Sequence, residues 1–501
     1  MAMTAQARRL PLDCLLLLTW LACGLGIRLI KVSQPFVDAW SWRQADVAMI
    51  AENFYQHGFS LLYPQINWAG SAPGYVGTEF QLTPFMAALL YGVFGVQDWI
   101  GRSVSVLFFA LSVPFFYLLV NKISNTRSAL WAAGIYMLTP LGIFASRSFM
   151  PDMASLSLSI VALYLFGTWL ERAPNAKLFM AMSLATSLAI LVKLPAILIG
   201  VPLLAMAWEK HGVRGLCRRQ LVAFAALALG GPLAWYVHAY LVSLAYPPYH
   251  FFGAGGIKIA EVGWYLEIFR RVAMSSLTPI VSAAMLVGLF LPARTPYGWL
   301  FHWWLLALIV FVVLAGGGNH RHDWYQLPVV PVAAALAGRA CDRGFHRLAQ
   351  RTGATLALLG AGVFVAGLAY VSYVCIAPHY EPKRLAWWQA GRELNQITPP
   401  EALVLIADDG DPTALYYSKR HGWHCLPYFG SNPVDSQQAI RELEQLRAAG
   451  ASYLIFTSNT FWWLTRYRAF QEHLEARYRR VSATDAYLIF DIRAVQGGHE
   501  R

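Results

Sequence analysis

Residues 35–79 read PFVDAWSWRQADVAMIAENFYQHGFSLLYPQINWAGSAPGYVGTE, a polar and aromatic stretch bounded on both sides by apolar chain. Asp38, Arg43, Asp46, Glu52 and Glu79 concentrate charge here as the flanking segments do not. Charged side chains are costly inside a bilayer and gather where they meet water or substrate. The stretch therefore predicts an outer loop leaving a first membrane span, and this loop is the candidate reactive segment.

Outward from it, the chain is built for a bilayer. Of its 501 residues 57% are hydrophobic and 13% charged, against about 25% charged in soluble domains. Apolar segments of spanning length recur at 10–30, 103–121, 128–146, 153–170, 178–192, 194–208, 220–243, 276–293, 299–316, 326–339 and 355–375. The expected fold is a polytopic α-helical membrane protein of about eleven transmembrane helices. A shorter apolar piece, 82–95, fits a juxtamembrane helix or hairpin of the first outer loop. The run 10–30 is too long for a signal-peptide core, so it reads as an uncleaved first span.

The connections holding Lys122 and Arg127, Arg172 and Lys177, Lys210 with Arg214, Arg218 and Arg219, Arg294, and Arg339 with Arg343, Arg347 and Arg351 fall on alternate sides of this ladder. They share the side of Arg8 and Arg9, which the positive-inside bias makes cytoplasmic. The net charge of +12 thus reports orientation rather than nucleic-acid binding. Outward-facing pieces are then 31–102, the turn 147–152, the connection around Lys193, 244–275, 316–325 and the tail from 378. Six cysteines are scattered without C-x-x-C spacing, so they indicate no zinc ribbon or disulfide framework. The tail alternates helical patterns at 383–396 and 434–448 with short apolar runs at 402–407, 452–456 and 487–491, the pattern of a small α/β domain. The expected organisation is a transmembrane catalytic module over 1–377 and an extracytoplasmic α/β domain over 378–501.

Several residues on this outer side can carry chemistry. Asp38 and Asp46 near apolar walls could work as a general base, Asp38 the more favoured of the two; the alternative for each is a capping or solvated loop charge. Arg43 suits a carboxylate or a phosphate. Glu79 and Asp152 each precede an apolar helix, where a plain first-turn acid is also favoured. Lys193 interrupts membrane-depth sequence, where it either contacts an anion or snorkels. His320 and His322, beside Asp323, could ligate a divalent metal with Glu79 or Asp152, or hydrogen-bond a phosphate or headgroup. Tryptophans and tyrosines crowd the two longer outer loops, suiting an interfacial belt and stacking on a sugar ring.

The order of these motifs resembles the GT-C superfamily of membrane glycosyltransferases, specifically its bacterial branch related to protein O-mannosyltransferases and lipid A aminoarabinose transferases. The resemblance rests on Asp38 with the Arg43–Ala48 run RQADVA, GTE ending at Glu79, GRS at 101–103, SRSFMPD at 146–152 and Lys193, and it covers roughly residues 10–340. It implies a GT-C-like fold and an inverting transfer of sugar from a polyprenyl-phosphate carrier to a lipid, glycan or protein acceptor. It implies Asp38 as the base, with Asp46 a rival because the family's acid stands closer to the Arg43 run. It further implies Glu79 and Asp152 as ligands of a divalent metal or as orienting groups, and Lys193 and Arg147 facing the donor phosphate. A bacterial inner membrane with the tail in the periplasm is the matching location. The other readings are an oligosaccharide ligase and a flippase of lipid-linked sugar; the latter would place charges near mid-membrane in paired broken helices.

Overall fold

The structure is a computed structural model that describes residues 12–172, 175–251, 257–292, 296–425 and 432–493. The basic residues Arg8, Arg9 and Arg294 lie outside these. The chain divides into two compact units, one of residues 1–32, 102–235 and 253–378, the other of 33–101, 236–252 and 379–501.

The first unit is helical. Each of the eleven apolar segments contains a helix, among them Leu12–Arg28, Asp152–Glu171, Ala176–Val192, Val329–Thr352 and Ala354–Ile376. By length and composition the described residues hold five helices able to cross a bilayer, or up to seven when two bent pairs each count as one span. The difference from eleven has a local cause. Pro140 lacks an N–H and turns Thr139 extended, so the segment 128–146 breaks into Thr126–Leu138 and Pro140–Arg147 at 62°. Leu300–Leu314 and Ala176–Val192 are apolar but fall under eighteen residues. Small residues let the helices approach: a Cβ on Gly338 would press on the backbone of Ser128 and Ala132, and one on Gly288 on that of Leu336.

The second unit combines the 35–79 stretch with the tail. The stretch is not simply a loop. No Gly or Pro falls between residues 39 and 57, and Ser41–His57 forms a helix, entered through Trp40 at φ 62° and ended by Gly58 at φ 95°. Thirteen of its seventeen residues are buried, which explains why a polar sequence holds a helix: its partners are protein rather than water. Leu82–Phe94 is a second helix, packed on the first.

The tail forms one five-stranded sheet, β1 (Leu403–Ala407), β2 (His421–Cys425), β3 (Ala451–Thr457), β4 (Arg479–Ala483) and β5 (Tyr487–Asp491), in the order β2-β1-β3-β5-β4. β1 runs parallel to β2 and β3, while β5 is antiparallel to β3 and β4. Helices Leu385–Ile397 and Ser436–Ala448 appear where the sequence predicts them. Leu405, Leu443, Leu454, Phe456, Trp463 and Phe470 form part of the core, each burial contributing about 1.5–3 kcal/mol.

The loop joins this sheet at its β2 edge. Gly70 N–H donates to Gly422 O at 2.7 Å and Gly422 N–H to Asn67 O at 2.9 Å. Both glycines are required by space: a Cβ on Gly70, at φ +65°, would strike the Trp423 ring, and one on Gly422 would strike the Val404 carbonyl. Gly70→Ala is expected to destabilise this unit by about 1–3 kcal/mol, read as a lowered midpoint in thermal unfolding of the solubilised protein. An unchanged midpoint would show that the loop does not dock there.

Candidate active site

In the second unit, Asp38 ends the short run after the first helix and is 1% exposed. Gln44 Nε2, one turn into Ser41–His57, donates to Asp38 Oδ1 at 2.9 Å and so orients the carboxylate. Arg43, on the same turn, forms a buried ion pair with Glu79, whose other oxygen accepts from Thr78 Oγ1 at 2.6 Å. A guanidinium held this way fixes the 77–79 segment against the helix.

Asp46 sits in different company. Its carboxyl is 2% exposed, and Oδ1 has no hydrogen-bond partner among the described residues. Burial pushes its pKa up to about 7, against the opposing pull of Arg43 and His424 and with help from Asp411. Asp408, after β1, is fully buried and likewise pushed up by burial to about 6, against His424. His424 Nδ1 lies 3.4 Å from Asp408 Oδ1. Burial alone would lower His424, but Asp408, with Asp46 and Asp411, outweighs it and raises it. Trp68 stands edge-on to His424 at 4.3 Å between ring centroids. Asp411 accepts from Ser41 Oγ at 3.2 Å and from Arg384 Nε at 2.8 Å.

Sequence reasoning missed Asp408, Asp411 and His424. The signals available were the acid-rich turn Asp408-Asp-Gly-Asp411 directly after an apolar strand and the two histidines of HGWHC. Neither reveals that β2 faces the 35–79 stretch.

In the first unit, Asp152 opens the helix Asp152–Glu171, immediately after Pro151. Lys193 caps the end of Ala176–Val192, where Leu194-Pro195 forces a break into a short 3-10 turn, Leu194–Ile199. The two helices pack together, with Ser155 Oγ donating to Ala189 O at 2.8 Å. That register brings Lys193 Nζ to 3.4 Å from Asp152 Oδ1, with side chains 12% and 8% exposed. The pair stands in a cleft whose walls include Ile199, Trp304, Phe311, Trp324 and Tyr325. Lys193 Nζ also lies 5.4 Å from the centre of the Tyr325 ring.

The remaining predicted residues of this unit have other partners. Arg147 is fully buried and donates from Nη2 to Lys31 O at 2.8 Å, holding the turn that leaves the first helix. His320 stacks on Trp264, and His322 on Trp324, each with centroids 4.6 Å apart. Among the described residues no group of three or more His, Cys, Asp or Glu side chains is arranged to hold a metal ion. Glu79 pairs with Arg43, and Asp152 with Lys193.

The chain combines a module of apolar helices with buried acids on the folded 35–79 stretch and a lysine–aspartate pair in a cleft, and its fold is similar to those of solved ArnT and oligosaccharyltransferase structures. Residues 81–236, about a third of the chain, match the family model of dolichyl-phosphate-mannose-protein mannosyltransferases. The fold matches ArnT from Cupriavidus metallidurans bound to undecaprenyl phosphate, at 16% identity and a TM-score of 0.67, over 94% of this chain and 97% of that one. It also matches the Archaeoglobus fulgidus oligosaccharyltransferase in complex with zinc and sulfate, at 13% identity and a TM-score of 0.61, over 94% and 72% of the two chains. A further match is archaeal AglB from Archaeoglobus fulgidus with an inhibitory peptide and a dolichol-phosphate, at 12% identity and a TM-score of 0.59, over 95% and 74%. Compared by sequence, the chain matches no curated protein.

Proposed function

We propose that the protein transfers a sugar, with inversion, from a polyprenyl-phosphate carrier to an envelope acceptor on the periplasmic face of a bacterial inner membrane. The observation that carries this reading is the Lys193–Asp152 pair in a cleft walled, apart from Ser155 and Ser159, by apolar and aromatic side chains. Such a cleft suits a ligand that combines one anionic group with a hydrocarbon chain, which is the chemistry of a polyprenyl phosphate. That structural neighbours bind undecaprenyl phosphate or a dolichol-phosphate supports the same donor class.

In this mechanism Asp38, oriented by Gln44, takes the proton of the acceptor hydroxyl as its oxygen attacks the anomeric carbon. The bond from that carbon to the carrier's phosphate oxygen breaks, and the electron pair leaves with the phosphate. Lys193 supplies the cation that stabilises the departing polyprenyl phosphate. Arg43 and Glu79 hold the outer segment in shape, and no step is routed through a metal. The eleven-span topology, with an inside N-terminus and the tail outside, is the arrangement this chemistry would use.

The test supplies purified protein in lipid vesicles with radiolabelled polyprenyl-phosphate sugars and lipid, glycan and protein acceptors. Label appearing on an acceptor together with free polyprenyl phosphate is the expected result. Movement of intact donor across the vesicle membrane, without cleavage of the sugar–phosphate bond, would overturn it in favour of a flippase. Transfer only from an oligosaccharide-pyrophosphate donor would instead make the protein a ligase.

A further inference from the structure

The tail is joined to the outer segment by more than packing. Helix Ser41–His57 meets it at three positions: Ser41 donates to Asp411 at 3.2 Å, Glu52 accepts from Lys419 Nζ at 2.5 Å, and between them Asp46 lies within electrostatic reach of the buried His424 and of Asp411. The first two contacts are an ordinary hydrogen bond and a partly exposed ion pair, the kind any docked domain makes. The third is different. Three acids and a histidine gather around a point where Asp46 Oδ1 and Asp408 Oδ2 have no hydrogen-bond partner among the described residues. Placing such groups together in a protein interior is costly unless their charges are shared, and burying them contributes nothing that an apolar contact would not supply more cheaply.

We propose that His424, backed by Asp408, is a positioning residue that holds the Asp46 carboxyl on the outer-segment helix, making the α/β tail a working part of the candidate site. The chain of contacts runs from the strand to the reactive segment. Asp408 and His424 sit at the ends of the parallel neighbours β1 and β2. The Gly70–Gly422 and Gly422–Asn67 hydrogen bonds lock β2 to the loop, and Trp68 covers the imidazole edge. Asp46 lies two residues beyond Gln44, the donor to Asp38. A displaced Asp46 turn therefore displaces the group that aims Asp38. The proposal rests on reading residues 35–79 as the reactive segment.

Among the described residues the groups that act on Asp46 are Arg43 on its own helix, Trp68 in the loop that follows, Asp411 after β1 and His424 on β2, while Asp408 and His250 each interact with His424. His250 is held toward its neutral form by burial, then by Arg43 and His424, which leaves His424 and Arg43 as the cations opposing the acids. Removing the imidazole should make Asp46 harder to ionise.

Two readouts on the full-length protein in vesicles test this. The first needs no donor: the pH at which the Asp46 carboxyl loses its proton, taken from the infrared carboxyl band of wild type minus that of Asp46→Asn. His424→Gln is expected to raise that midpoint by about one unit, and Lys419→Ala, which cuts the Glu52 contact, to leave it in place. The second is the pH profile of kcat/KM for sugar transfer. The acidic limb should move upward with the midpoint, lowering kcat/KM at pH 6 by about tenfold in His424→Gln. An unmoved midpoint in His424→Gln overturns the proposal. A moved midpoint with an unchanged profile also overturns it, leaving the cluster a structural feature. If wild type transfers no sugar but the midpoint moves as stated, the failure lies with the functional reading and the positioning of Asp46 stands.

Discussion

Asp38→Asn is expected to lower kcat/KM for sugar transfer by about 10²–10⁴, the usual contribution of a positioned general base, with the thermal unfolding midpoint little changed. The substitution keeps the shape of the side chain and leaves an oxygen to accept from Gln44 Nε2, which now lies 2.9 Å from Oδ1. Packing around a residue only 1% exposed is thereby preserved. What is lost is the ability to take up the acceptor's proton. The comparison with Asp46→Asn separates the two candidate acids. Asp46 is buried within reach of Asp411 and His424, so its loss should lower the rate indirectly and alter the pH profile. Asp38→Asn at full activity, with Asp46→Asn inactive, would transfer the role of base to Asp46.

Lys193→Met carries the second large effect, a fall in kcat of about 10²–10³, the loss expected when one group stabilising developing charge is removed. It also leaves Asp152 without the ammonium 3.4 Å away, and breaking a buried pair on one side costs about 3–5 kcal/mol. Stability and rate must therefore be measured separately. The double variant Lys193→Met with Asp152→Asn removes both charges; it should regain most of the thermal stability but not the rate. Recovery of both would show that Lys193 serves only to neutralise Asp152, and would remove the observation that points to a lipid phosphate.

How far the sequence could be read depended on the range of the interactions involved. The apolar segments were legible because each helix satisfies its own backbone and its composition responds to the lipid or protein around it. Asp152 and Lys193 were legible singly, since a charge at membrane depth stands out in an apolar run. Their pairing depended on the register of two packed helices, which spacing alone does not reveal. The strands β1, β3 and β5 were visible as apolar runs, whereas β2 (HGWHC) and β4 (RRVSA) are too polar to be read as strands. Arg147, which the resemblance alone implied as facing the donor phosphate, donates from Nη2 to the Lys31 carbonyl, a contact that depends on the turn after the first helix and is not readable from spacing.

The stretch 35–79 shows the division most clearly. Its own residues determined that it is polar, that it lies between apolar segments, and that Asp38, Arg43, Asp46 and Glu79 are its chemical resources. The polar run 41–57 reads as loop, where the structure forms a helix bounded by Trp40 and Gly58, although no Gly or Pro interrupts that run. Only the tertiary structure decided that this helix is buried, that Glu79 returns to Arg43, and that Asp46 meets a histidine 378 positions further along the chain. The reason is physical. Burial, and the charge sharing it enforces, depend on which distant surface covers a segment, and no local pattern of residues encodes that surface.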